Sequence, residues 1–301
     1  MSASIPQVEQ FELPHPSGEG AFQISLSRPS ALGGALPEGL KAPILFVTDG
    51  DMCFASAAAI ARFRAMVPGY PQVLVVAVGY GANFLSMARL RTGDLTPPLS
   101  EAGLADFGAL TDVIGDKSGG SDAYLDFIEG ALTAEVLARC PEADPERTIL
   151  FGHSLGGLFT AYALLTRPHA FSAFIASSPS LWWDGFVVLK SLEGFGERVD
   201  GLPKPPRVLV AAGGLEQDLP AEVPPGVGMT LDEVHAIVVR SRMIDAAAEF
   251  AEFLRAAGLS EVAHVCFQGE DHGSVVPAAL MRGLTHALDG WKTPAAEAAS
   301  A

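Results

Sequence analysis

Cysteine is scarce: three in 301 residues, Cys53, Cys140 and Cys266, far apart and without any Cys-x-x-Cys spacing. That argues against a disulfide framework and a structural zinc site, since both need paired cysteines. Basic residues are few as well. Nineteen Lys and Arg face 35 Asp and Glu, a formal net charge of −16. Nucleic acid and anionic membrane surfaces are therefore poor partners, because both reward basic patches. An anionic small molecule stays open, since a few arginines can set the potential of one pocket. Long apolar runs are missing too, none approaching the ~20 residues that span a bilayer. The opening Met1-Ser-Ala-Ser-Ile-Pro-Gln-Val-Glu-Gln10 has no basic segment followed by an apolar one. No secretory signal is read there, and cytoplasmic residence is the expectation. Nor is there an internal repeat or a Pro-, Gly- or Ser-rich linker, so residues 1–291 read as one domain. Residues 292–301, small and mostly polar, are expected to be a disordered tail.

What is present suits an enzyme of ordinary build. With 49% hydrophobic and 18% charged residues the chain can bury a large core. Short β-rich runs at 22–26, 44–47, 73–78, 149–151, 171–176, 208–211 and 262–267 alternate with helical stretches at 55–66, 124–138, 155–165, 231–257 and 277–288. Alternation of this kind predicts an α/β fold, a mostly parallel sheet with helices on both faces. Val8 to Leu13 and Phe22 to Leu26, joined through Pro14-His-Pro-Ser-Gly-Glu-Gly20, read as an antiparallel hairpin at its start.

The densest chemical signal is Thr148-Ile-Leu-Phe-Gly-His-Ser-Leu-Gly-Gly157. A serine hydroxyl is a weak nucleophile until a base takes its proton, and a G-x-S-x-G turn holds it at the tip of a strand-to-helix bend within a histidine's reach. The pentapeptide alone is common, but here β-formers precede it and helical spacing of Leu158, Ala161, Leu164 and Leu165 follows. Ser154 is the candidate nucleophile. Its base is read as His272, which follows the last predicted strand and fits the order Ser, acid, His. The other six histidines lie in the elbow, strands, turns or helices and read as surface or core residues. The loop after Arg207-Val-Leu-Val-Ala-Ala-Gly-Gly214 offers Glu216 and Asp218 as the acid that orients the histidine. Glu216 is preferred as the first carboxylate past the strand, and Asp271 ranks lower because neighbours in a turn point apart. For the oxyanion hole the Leu155 amide, opening a helix, supplies one donor, and the amide of Asp51 or Met52 after Gly50 the other.

Six motifs in order carry a wider likeness: Asp49-Gly50-Asp51 with Phe54, Arg91-Thr-Gly-Asp-Leu-Thr-Pro-Pro98, Gly119-Gly-Ser-Asp-Ala-Tyr-Leu-Asp-Phe127, Gly152-His-Ser-Leu-Gly-Gly-Leu-Phe159, Ser178-Pro-Ser-Leu-Trp-Trp183 and Asp271-His-Gly-Ser-Val275. From about Ile44 to Leu288 the chain resembles the putative-esterase family, in its siderophore (enterochelin-type) esterase branch. One departure is that Leu90 separates Arg89 from Arg91, where members often pair the arginines. The resemblance implies an α/β-hydrolase fold, Ser154 and His272 as the catalytic pair, and ester hydrolysis without a cofactor. It also implies a trilactone siderophore such as enterobactin or a related catecholate as substrate, with iron entering as part of that ligand. Trp182 and Trp183 are then candidates to stack on catechol rings, and Arg91 to meet a catecholate or carboxylate oxygen. Core or lid packing for the tryptophans, and a simple pairing of Arg91 with Asp94, are the competing readings. No histidine and carboxylate cluster reads as a metal site. Three other functions stay open: a carboxylesterase or thioesterase for other acyl groups, an acyltransferase with the same serine chemistry, and an inactive hydrolase fold serving as a binding module.

Overall fold

A computed structural model describes residues 7–31, 34–107, 115, 117–223 and 228–292. Eight strands make one sheet: β1 (Val8–Pro14), β2 (Ala21–Ser27), β3 (Ala42–Val47), β4 (Leu74–Gly79), β5 (Ala143–His153), β6 (Ala173–Ser177), β7 (Arg207–Gly213) and β8 (Val262–Phe267). They lie side by side in the order β1-β2-β4-β3-β5-β6-β7-β8. The expected hairpin is there, with β1 and β2 antiparallel from Val8 opposite Ser27 to Pro14 opposite Ala21. β2 runs antiparallel to β4, and every pairing from β4 to β8 is parallel.

Parallel strands covered on both faces need apolar side chains on both, and these strands are continuous apolar runs for that reason. Leu45, Val75, Ile149, Ile175 and Leu209 point to one face, where helices α1 (Gly50–Ala65) and α7 (Val275–Asp289) cover them. Their neighbours Phe46, Val76, Leu150, Phe174 and Val210 point to the other. There the cover comes from α2 (Phe84–Leu95), α3 (121–139), α4 (Leu155–Thr166) and α6 (Met243–Ala256), with α5 (Leu231–Ser241) before the last of these. Within α3 the segment Ile128–Leu132 is one π-helical turn, and the Thr133 hydroxyl donates to the Ile128 carbonyl at 2.6 Å.

Three expectations about helices change. The helix expected over 231–257 is two helices, broken at Arg242, whose φ of 45° turns the chain. The break lets α6 lay Ala246, Ala247, Phe250 and Leu254 on the core, whereas α5 buries little beyond Ser241. α1 begins at Gly50 rather than at 55, because Asp49 in a left-handed conformation (φ 55°) swings the chain from β3 directly into the helix. α2 carries no strong apolar stripe and was not expected; the Asn83 side chain caps it by accepting the Ser86 amide at 3.1 Å. From residue 293 the expected tail lies outside the described residues.

In a parallel sheet the carboxyl ends of neighbouring strands open into one crevice. β3, β5, β6, β7 and β8 deliver Asp49, Ser154, Ser178, Glu216 and His272 to the same edge.

Candidate active site

Ser154 sits between β5 and α4 with φ 59° and ψ −116°, a backbone conformation disfavoured for residues other than glycine. Neighbouring hydrogen bonds hold it there: the Ser154 amide donates to the Ser177 carbonyl at 3.0 Å, and its carbonyl accepts the Ser180 amide at 3.0 Å and the Leu158 amide at 2.9 Å. The turn also needs its glycines. A Cβ on Gly152 would lie 2.0 Å from the Gly156 carbonyl oxygen, and one on Gly156 would lie 2.2 Å from Thr48 Oγ1. Strand, bend and helix can close up this tightly only with no side chain at those two positions.

His272, in the loop between β8 and α7, places Nδ1 3.0 Å from Oε2 of Glu216. The imidazole is half exposed, while the carboxylate is 1% exposed. The other oxygen of Glu216 accepts the Ser178 hydroxyl and, at 2.6 Å, the Gly213 amide. Burial by itself would raise this carboxyl's pKa. The hydrogen bond and charge of His272, with the bonds from Ser178 and Gly213, outweigh it and hold Glu216 below the usual carboxylate range. A carboxylate so bound stays ionised and fixes the histidine ring with Nδ1 as donor, which leaves Nε2 as the acceptor. Asp218 is exposed, and Asp271 turns back on its own loop, accepting the amides of Gly273 and Ser274 at 2.8 Å each.

Ser154 and His272 line one cavity of about 440 Å³. The serine hydroxyl rests 3.4 Å from Ser180 Oγ, and among the described residues it makes no hydrogen bond to His272. The ring of His153 packs on that of His272, centroids 4.5 Å apart at 45°, and His153 Nδ1 lies 3.1 Å from Ser177 Oγ. Burial, then the charges of His272 and Arg91, push the His153 pKa well below the usual histidine range, so this second imidazole stays neutral.

These geometries stand beside known proteins as follows. The chain is 33% identical over 294 residues to the siderophore triacetylfusarinine C esterase of Aspergillus fumigatus, covering 95% of each chain. It is 32% identical to the ferri-bacillibactin esterase BesA of Bacillus subtilis, covering 95% of this chain and 91% of that one. The chain belongs to the siderophore esterase family. Among solved structures, the siderophore hydrolase EstB from Aspergillus nidulans superposes with a TM-score of 0.79 at 29% identity, covering 98% of this chain and 99% of that one. Residues 103–212 also match the prolyl oligopeptidase family, a stretch that holds the elbow and the strands beside it. The α/β-hydrolase fold and the esterase class read from the motifs are therefore found.

Within that family frame the remaining expected site residues fare differently. The Leu155 amide opens α4 and has no acceptor within the helix, as an oxyanion donor requires. The Met52 amide is already committed, donating to the Asp49 carbonyl at 3.0 Å in the first turn of α1, so it is not a free donor. The Asp51 side chain faces β4, accepting the amides of Tyr80 at 2.6 Å and Gly81 at 3.1 Å. Its own amide lies beside Gly79, where an added Cβ would be 3.1 Å from it.

Arg91 does line the cavity, and the expected pairing with Asp94 does not hold. It forms a two-point ion pair with the buried Asp49, Nε to Oδ1 at 2.6 Å and Nη2 to Oδ2 at 2.7 Å. Asp94 instead meets His15 Nε2 at 3.0 Å. Trp183 is a core residue, 1% exposed, its indole N–H donating to the Pro97 carbonyl at 3.2 Å. Trp182 packs against the same core, and neither tryptophan lines the cavity. For Trp183 the structure bears out the core-packing reading, while Trp182 is only partly buried. Sequence reasoning missed His153, Ser178, Ser180 and the Asp49 partner of Arg91. Their only sequence signal was membership in the family-like motifs, because all four act through contacts between distant segments.

Proposed function

We propose that this protein is a siderophore esterase that hydrolyses ester bonds through an acyl-enzyme on Ser154. The buried Glu216 fixed to His272 Nδ1, with Nε2 left as base beside the strained Ser154, is the observation that carries it. In the first step the Ser154 hydroxyl rotates from Ser180 toward His272, which takes its proton as Oγ bonds to the ester carbonyl carbon. The oxyanion forms against the Leu155 amide. The tetrahedral adduct then expels the alcohol, which leaves with the proton from His272. A water molecule next gives its proton to His272 and its oxygen to the acyl carbon, and the Ser154–acyl bond breaks with return of that proton. One water is consumed, and one acid and one alcohol are released for each ester cleaved. Glu216 stays ionised throughout and balances the imidazolium.

Family membership supports siderophore esters as the substrate, since relatives matching nearly the whole chain are named for triacetylfusarinine C and ferri-bacillibactin. The chain needs no basic surface for this, in keeping with its charge of −16. The test is turnover of siderophore esters and of p-nitrophenyl acetate and butyrate by the wild type and Ser154→Ala, with products identified by mass. Ser154→Ala is expected to lose about 10⁴-fold or more in kcat with its thermal unfolding unchanged. Wild-type rates in that variant would overturn the mechanism. Serine-dependent turnover of the simple esters alone would overturn the siderophore assignment.

A further inference from the structure

The cavity beside Ser154 carries information about which ferric complex it suits. Both features that would have favoured a catecholate are spent elsewhere: Asp49 takes up the charge of Arg91, and the two tryptophans are packed into or against the core. What the cavity presents around Ser154, His153 and His272 is largely apolar. Met52, Cys53, Met87, Ala88, Val276 and Pro277 line it, with Ser56 and Arg91 the other polar side chains. Among its described lining residues, Arg91 is the one permanently charged cation, and it is paired. Thioethers and small aliphatic groups adapt to an irregular alkyl chain but offer an anion nothing.

A neighbouring cavity of about 660 Å³ does not change this balance. Met87, Ala88 and Arg91 face the Ser154 cavity from one side of α2, whereas Arg89, Leu90, Gly93 and Asp94 face the second from the opposite side. There Arg89 and Lys117 are matched in number by Glu19 and Asp94, the latter holding His15.

The charge of the cargo follows from its ligands. Each catecholate brings two negative charges to ferric iron, so a tris-catecholate complex is a trianion. Each hydroxamate brings one, so a tris-hydroxamate complex is neutral. A trianion approaching a chain of net charge −16 meets a repulsive field with no unpaired cation in the described pocket to reverse it. A neutral complex meets no such penalty. Resting on the siderophore-esterase reading above, we infer that the preferred substrate is a charge-neutral ferric hydroxamate ester. Its aliphatic acyl portion lies against Met52, Met87, Val276 and Pro277, and ferric tris-catecholates are the slower substrates.

The test compares kcat/KM for ferric triacetylfusarinine C, a hydroxamate, with ferric enterobactin and ferric bacillibactin, both catecholates, at low and high sodium chloride, with Ser154→Ala as control. The expected result is a preference for the hydroxamate of about tenfold or more at low salt. Added salt should raise the catecholate rates and leave the hydroxamate rate flat, because screening relieves repulsion only where charge is present. Met52→Lys, at a position 48% exposed on α1, should narrow the preference severalfold by placing a cation at the pocket. Faster serine-dependent cleavage of the catecholates, or equal rates insensitive to salt, would overturn the inference and leave the esterase reading standing. Serine-dependent turnover of simple esters with none of any siderophore would overturn the esterase's substrate assignment itself.

Discussion

Glu216 shows how much of this site depends on single atoms. Its two oxygens accept three donors, Ser178 and Gly213 on one and His272 on the other, and a side-chain amide in its place keeps an acceptor for only one side. In Glu216→Gln the amide competes to donate toward Nδ1 and favours the wrong imidazole tautomer. kcat is expected to fall by about 10²–10⁴-fold, with a much smaller change in KM. The pH dependence has a definite sign. Because the folded pKa of Glu216 is depressed, the unfolded chain binds more protons between that value and roughly 4.3, the ordinary glutamate value. The stability Glu216 contributes is therefore full above this window and lost as pH falls through it. Urea unfolding of wild type and Glu216→Gln across acid pH should show their difference shrinking as pH drops. A difference independent of pH would show that ionisation of this carboxyl does not stabilise the fold.

At the scale of elements, the strand–bend–helix unit from β5 to α4 is set by close approach rather than by propensity. Gly156 lies against Thr48 at the end of β3, and Gly157 against the Ser177 carbonyl and Pro179 after β6, so α4 is held tight between two strand ends. Gly156→Ala should cost about 3 kcal/mol or more, because the new methyl meets Thr48 Oγ1 at 2.2 Å in a buried place. Gly130 provides the contrast. It lies in the π turn of α3, exposed, with nothing within 4 Å of an added Cβ, and Gly130→Ala should stabilise by about 0.5–1 kcal/mol. Chemical denaturation of the two variants checks both signs, and equal effects would mean that the approach at Gly156 is not the constraint. The segment Ser178-Pro179-Ser180, emerging from β6, does similar work between elements. Ser178 holds Glu216, while the Ser180 amide and hydroxyl hold Ser154, so one short turn ties Glu216 to Ser154.

For the whole molecule the excess of acid is the governing term. Ion pairs such as Arg28 with Glu9 and Glu142, and Arg167 with Asp126 and Glu129, use several of the few cations, leaving most carboxylates to repel one another through solvent. Salt screens that repulsion, with a Debye length near ~10 Å at 0.1 M. Thermal unfolding should therefore shift upward by a few degrees between about 10 mM and 0.2 M sodium chloride. A downward shift would mean that the ion pairs outweigh the repulsion. No described helix is long and apolar enough to cross a membrane, and among the described residues no cluster of histidine, cysteine and carboxylate could hold a metal ion.

The sheet, the hairpin before it and the elbow were legible in the sequence, because apolar runs flanked by glycine and helical spacing are local properties of the chain. His272 and Glu216 were legible too, since strand ends in an α/β sheet deliver their loops to one edge and the chain order of the parts is written linearly. The extra contacts of the acid with Ser178 and Gly213, and the packing of His153 on His272, were not. Nor could the sequence assign Arg91 to Asp49 or send Trp183 into the core. Each of those contacts joins segments far apart in the chain, where a side chain's partner depends on which strands lie next to each other and which face it leaves from. Residue types and their local spacing determined that this chain has a serine, a histidine and an acid in hydrolase order. Only the tertiary structure decided which cation is neutralised and which aromatic is buried, and so what kind of surface meets the substrate.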